Sequence, residues 1–199
     1  MNMTHQEVKE VIKNDIYRNS GAYNKGLAIR AAWGFGETLS FLYNYRMCQY
    51  YSSMSTKGPI TFLKHAICYL RFKRFQQRCG IELNQHTKIG YGLRLPHKGG
   101  IVIHPAAVIG NNCEIMQGVT IGNNILKDRD AVATIGDNVL ICAGAKIIGA
   151  VTIGNNVVIG ANAVVTKDVP DGTIVAGVPA VPIGTCNDSF VINRLENQV

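Results

Sequence analysis

The chain has 199 residues, enough to bury a sizeable core, and 47% of them are hydrophobic, an ordinary share for a soluble protein. No apolar run approaches the roughly 18 residues a membrane span needs, and the N-terminal stretch MNMTHQEVKEVIKN is polar and charged, so neither a spanning segment nor a signal peptide is expected. The net charge of +7 is uneven: residues 1–80 hold twelve Lys+Arg and four Asp+Glu (+8), residues 81–199 eight and nine (−1), and with no nucleic-acid motif beside the basic half, nucleic acid is not an expected partner.

Residues 4–19 read as a first helix, capped by Thr4 with Glu7 three positions on and striped by Val8, Val11, Ile12 and Ile16. A loop around Ser20–Lys25 follows. Residues 27–54 hold a second helical region with a break at Gly34–Gly36. Lys57-Gly58-Pro59 marks a stop and restart, and a third helix runs from about Ile60 to Arg78, with Gly80 in the terminating position. That helix ends in Arg71, Lys73, Arg74 and Arg78 interleaved with Phe72 and Phe75. The cations suit a helix C-terminus, and the same mixture suits peripheral contact with a membrane surface.

From Ile81 the composition shifts to Gly, Asn, Val and Ile. Aliphatic residues fall every six positions at Ile109, Ile115 and Ile121, then at Ile135, Ile141, Ile147, Ile153, Ile159 and Val165. Neither a helix nor simple strand alternation has that period. A coil of short strands does, turning one aliphatic per strand toward its axis, and this is the hexapeptide β-helix signature. The expected organisation is a helical N-terminal domain over 1–80, a β-helix over 81–185 and a C-terminal tail over 186–199 that caps the coil or is partly mobile. The six cysteines lack metal-type spacing and read as reduced packing residues in a cytoplasmic protein.

Two interruptions break the rhythm. Leu95 to Ile103 carries two extra residues in the turn Pro96–Gly100, and Ile121 to Ile135 carries an excursion through Asn123–Thr134. Insertions at the corners of a rigid scaffold are where binding loops are expected. His97 lies in the first. A histidine of ordinary pKa is mostly neutral at pH 7 and can accept a proton from a hydroxyl, which is too weak an acid to ionise unaided. Glu82, fifteen residues earlier and close to one coil back, is placed to orient the imidazole and stabilise the imidazolium. No Gly-x-Ser-x-Gly or Cys/His pairing points to a covalent nucleophile, so direct transfer is expected.

The segments CGIELNQHTKIGYGLRLPHKGGIVIHPAAVIG, EIMQGVTIGNN, ICAGAKIIGAVTIGNN and IGANAVVTKDVPDGTIVAGVPA resemble the serine acetyltransferase family, with a weaker likeness at IKNDIYRN and LYNYR. The resemblance implies a left-handed parallel β-helix behind a small α-helical region, acetyl-CoA as co-substrate, no metal, and a homotrimer with sites between subunits. It implies His97 as catalytic base with Glu82 in place of the family's aspartate. It also implies that Gly122 and Asn123 cradle the thioester, that Ala143 and Ala161 leave room for pantetheine, and that Lys167 meets the CoA phosphates.

Two departures bear on the acceptor. The family has an aspartate before the catalytic histidine where Pro96 stands, and an Arg-His pair where Ala131 and Val132 stand; Arg129 is two positions away. A carboxylate acceptor needs such charged partners. The pattern therefore resembles the capsule and colanic-acid branch of O-acetyltransferases, whose acceptor is a sugar hydroxyl in polysaccharide biosynthesis. Serine O-acetylation is the alternative. Two readings of other classes are a zinc carbonic anhydrase-like coil, for which His86, His97 and His104 lack the required spacing, and a scaffold with no activity.

Overall fold

A computed structural model describes residues 3–54, 58–126, 128, 131–187 and 190–191. Lys57, Arg129 and most of the tail expected after residue 185 lie outside the described residues. Four helices lead the chain: α1 (His5–Ser20), α2 (Lys25–Trp33), α3 (Glu37–Ser53) and α4 (Pro59–Cys79). The expected capping box is formed. Thr4 Oγ1 accepts from the Glu7 amide at 3.2 Å, and the Thr4 amide donates to the Glu7 carboxylate at 2.7 Å. The expected break falls between α2 and α3, where Gly34 adopts φ 97°, and Gly80 ends α4 at φ 61°. Phe72 of α4 packs on Phe41 and Tyr45 of α3, with ring centroids 5.5 and 5.8 Å apart.

The remainder is a left-handed parallel β-helix of three flat sides. Its strands are two to five residues long: β1 (Ile81–Glu82), β2 (Lys88–Ile89), β3 (Ile101–Ile103), β4 (Val108–Ile109), β5 (Glu114–Ile115), β6 (Thr120–Gly122), β7 (Thr134–Ile135), β8 (Leu140–Ile141), β9 (Lys146–Ile148), β10 (Thr152–Ile153), β11 (Val158–Ile159), β12 (Val164–Val165), β13 (Thr173–Ala176) and β14 (Val181–Thr185). The first side stacks β1-β3-β6-β9-β12, the second β2-β4-β7-β10, and the third β5-β8-β11-β13, closed by antiparallel β14. The nine aliphatics of the six-residue beat point inward, each at most 2% exposed.

The second-to-third corner explains the recurring Gly-Asn and Gly-Asp pairs. Asn111, Asp137, Asn155 and Asp171 stack as a ladder in which each side chain accepts the backbone N–H of the layer before, at 2.7–3.1 Å. The following asparagines, 112, 138 and 156, hold φ near 55°, a left-handed conformation asparagine tolerates better than most residues.

The first coil has no coil above it to pair its outer backbone groups, a sheet edge that needs covering. The helices supply the cover. Arg46 of α3 donates to the carbonyls of Ile89 (2.8 Å) and Gly90 (2.6 Å), and through Nε to Asp15 at 2.7 Å. The Leu93 amide donates to Asp15 at 2.9 Å, and Asn19 bonds both Leu93 O and the Leu95 amide. Arg18 reaches Gly92 O and Asn112 O, and the Tyr45 hydroxyl donates to Thr87 O at 2.7 Å. Burial pushes the Asp15 carboxyl up, opposed by the Arg46 charge and the amides of Leu93 and Gly92. Burial works against the Arg46 charge too, but Asp15 outweighs it and its pKa rises. Arg46 keeps its charge at neutral pH, because a guanidinium does not deprotonate in a protein.

Candidate active site

Both breaks of rhythm fall at corners of the coil, and at different ones. Pro96–Gly100 forms the third-to-first corner above Gly118 and Gly144. Gly99 and Gly100 have φ of 105° and 66°, which favour glycine there. The turn is pinned at several points. The Gly99 amide donates to Cys79 O at 2.8 Å, Gly99 O accepts from Gly118 at 2.9 Å, and Asn19 holds Leu95. Lys98 pairs with Glu37 of α3, and its hydrogen bond holds the Glu37 carboxyl below the ordinary range. His97 is left exposed on this braced turn.

Hydrogen bonds layer by layer (Gly118 to Gly99, Gly144 to Gln117, Asn162 to Ala143) put Gly99, Gln117, Ala143 and Ala161 in one column. His97, Ala143 and Ala161 therefore share an edge of the prism. Gly122 and Asn123 lie at the next edge, first-to-second, where Gly122 pairs with Ile148 and Lys167 stands two layers further along. There Asn124, Ala131, Gly149, Ala150, Thr166 and Lys167 line a cavity of about 370 Å³. Between the edges the register aligns Glu82, Val102, Thr120, Lys146 and Val164 on the first side. The Lys146 ammonium is fixed on Gly118 O (2.6 Å) and Thr120 Oγ1 (3.0 Å).

Glu82 and His97 are both exposed, and no hydrogen bond joins them among the described residues. Glu82 sits in β1 on the first side, past the edge at which His97 stands. Separation without ligand does not disqualify such a pair, since catalytic hydrogen bonds often tighten only in the complex. Two contacts escaped the sequence reading, the Glu37–Lys98 pair and the Asn19 clamp on Leu95. Each joins residues more than sixty positions apart with no spacing signature. Among the described residues no three His, Cys, Asp or Glu converge as a metal site, and no helix is long and apolar enough to cross a membrane.

The glycines of the coil differ in the room they leave for a pantetheine chain. An added Cβ at Gly110, Gly136 or Gly154 would meet backbone atoms or Asn/Asp side-chain oxygens at 2.2–2.6 Å, so the coil itself demands those glycines. At Gly122 a Cβ would meet nothing nearer than 3.8 Å. The fold leaves space over Gly122, beside the cavity bordered by Lys167, and residues of this size and charge fit a narrow acyl-carrying arm ending in phosphates.

A three-sided coil with one aliphatic per short strand defines the hexapeptide-repeat proteins. The profile described as "Bacterial transferase hexapeptide (six repeats)" matches residues 133–167, and "Hexapeptide repeat of succinyl-transferase" matches 106–126. The chain is 47% identical over 100 residues to the serine acetyltransferase of Staphylococcus epidermidis, covering 50% of this chain and 47% of that protein. The crystal structure of Neisseria gonorrhoeae serine acetyltransferase in complex with serine superposes with a TM-score of 0.64 at 30% identity, over 90% of this chain and 70% of that one. A serine acetyltransferase structure in complex with CoA superposes at 0.66 and 25% identity, over 90% and 71%. The chain belongs to the serine acetyltransferase family. It spans only about a third to a half of the length of the first curated relatives it matches, 35% and 47%. None of these relatives is a capsule or colanic-acid enzyme, so the expected closeness to that branch finds no support among them.

Proposed function

We propose that this protein is an acetyl-CoA-dependent O-acetyltransferase in which His97 is the general base. Acetyl-CoA supplies the activated acyl group. His97 takes the proton of the acceptor hydroxyl as its oxygen attacks the thioester carbon. As imidazolium it returns that proton to the sulfur when the C–S bond breaks. Glu82 stabilises the imidazolium, and the backbone of Gly122 and Asn123 faces the charge that develops on the carbonyl oxygen. Ala143, Ala161 and Lys167 accommodate the rest of the CoA. Candidates split over two edges of one chain suit a homotrimer, in which one subunit's His97 edge lies against the next subunit's Gly122 edge. The observation that carries the reading is an exposed histidine on a braced two-residue insertion of this family's coil.

L-Serine is the acceptor that the relatives favour. A second reading, a neutral sugar hydroxyl, rests on Pro96, Ala131 and Val132, which offer no charge to an amino acid's ionic ends. Thiol release from acetyl-CoA separates the two: saturation at millimolar L-serine supports the first and removes the second. Under either acceptor, His97→Ala is expected to lower kcat by about 10²- to 10⁴-fold with the fold intact. An unchanged kcat would sink the mechanism.

A further inference from the structure

The basic helix α4 was expected to present its cations together with Phe72 and Phe75. The structure corrects this: Phe72 and Phe75 face inward, at 0% and 5% exposure. A different set faces out. Ile60, Leu63, Ile67 and Leu70 are all exposed, at the 3-4-3 spacing that puts them on one stripe of the helix. The same stripe continues into Arg74 and Arg78. Beside it, Arg71 donates to Ala32 O and lies against Gly34, so Trp33 and Phe35 flank the stripe, exposed by 75% and 63%. Among the described residues no contact explains an exposed tryptophan next to four exposed aliphatics, and such a patch marks an interaction surface.

Charge decides the partner. α4 carries Lys64, Arg71, Lys73, Arg74 and Arg78 with no acidic residue, and α2 adds Lys25 and Arg30 with none. A second copy laid along this face would set like charges against each other. A nucleic acid would engage the cations and leave the aliphatics and Trp33 in water. An anionic bilayer satisfies both, with apolar side chains entering the acyl boundary and Lys and Arg meeting the headgroups.

We propose that the outer face of α4, with Trp33 and Phe35, docks the protein peripherally on an anionic lipid surface. The inference stands apart from the choice of acceptor, because none of its residues lies among those proposed for catalysis. Trp33 is the only tryptophan of the chain, so its emission reports directly on the patch. The full chain is mixed with phosphatidylglycerol–phosphatidylcholine vesicles and with pure phosphatidylcholine vesicles, and flotation and Trp33 emission are read together. Flotation with the anionic vesicles and a blue shift of Trp33 are expected. Lys64→Gln with Arg74→Gln should weaken partition about fivefold per charge removed, and Leu63→Ser with Leu70→Ser more than tenfold. Both variants alter exposed side chains, and circular dichroism checks that they fold. The proposal is overturned by any of three results: no flotation; flotation that the leucine variant leaves unchanged, which is surface charge alone; or a wild-type oligomer that ignores vesicles and dissociates in the leucine variant, which is a second copy. Binding to DNA without binding to vesicles overturns it as well.

Discussion

Gly110 and Gly122 look alike in the sequence, each following an isoleucine of the six-residue beat. Their surroundings differ. A Cβ at Gly110 would sit 2.3 Å from Asp137 Oδ1, which is held in the Asn/Asp ladder, and 2.5 Å from the backbone Gly136 O, so Gly110→Ala must push a coil corner apart. Overpacking of that kind destabilises by about 1–3 kcal/mol. Gly122→Ala meets only ordinary contacts at 3.8 Å and should stay within about 0.5 kcal/mol of the parent. If the space over Gly122 receives the acyl-carrying arm, the same alanine should raise KM for acetyl-CoA several-fold. Urea midpoints and initial rates for the two variants check this. A Gly122→Ala protein that is strongly destabilised, or whose KM is unchanged, refutes the assignment.

At the scale of elements, the coil was legible because every turn repeats one requirement, an aliphatic inward and a small or Asn/Asp corner. Five turns of that requirement leave a period no other architecture shares. The positions of His97 and the excursion were legible for the same reason, as departures from a fixed beat. What covers the edge of the first coil was not. Arg46 has its partners in Asp15, thirty-one residues before it, and in the carbonyls of Ile89 and Gly90, more than forty after it. A guanidinium that caps a sheet edge through backbone oxygens imposes no residue type on the edge it caps, so nothing in the strand sequence announces it. The consequence can be measured. Arg46→Ala would leave the Asp15 carboxyl buried without its partner and two edge carbonyls unbonded. Breaking a buried pair from one side costs about 3–5 kcal/mol. The loss should appear first as faster hydrogen exchange at the Leu93 and Leu95 amides, which Asp15 and Asn19 now hold. Exchange there equal to the parent's would show that the seam does not depend on Arg46.

At the scale of the whole molecule, the question is whether helices and coil unfold together. Solenoids often behave as chains of repeats coupled only to their neighbours, and the residue-80 junction invites a division there. The packing argues otherwise. One contiguous set of buried side chains runs from Phe41 and Cys48 in α3, through Phe72 and Cys79 in α4, into Ile81 and on to Val175 in β13. Three buried cysteines sample this core. Burial pushes the Cys48 thiol up to about 12, Cys79 up to about 11 and Cys113 up to about 12. A raised thiol pKa is a stabilising contribution that is fully present below the unfolded value of about 8.5 and is lost as pH climbs through the folded value. At pH 8 the folded protein should therefore expose no thiolate at these positions, and alkylation of all three should follow unfolding. Pulsed iodoacetamide labelling along a urea gradient, read by peptide mass, gives a midpoint for each. Coincident midpoints for Cys48 and Cys113 are expected from a shared core. A Cys48 midpoint well below that of Cys113 would mean that the helices melt off an intact coil, and that the polar seam between them, despite its buried ion pair, is the weakest joint in the molecule.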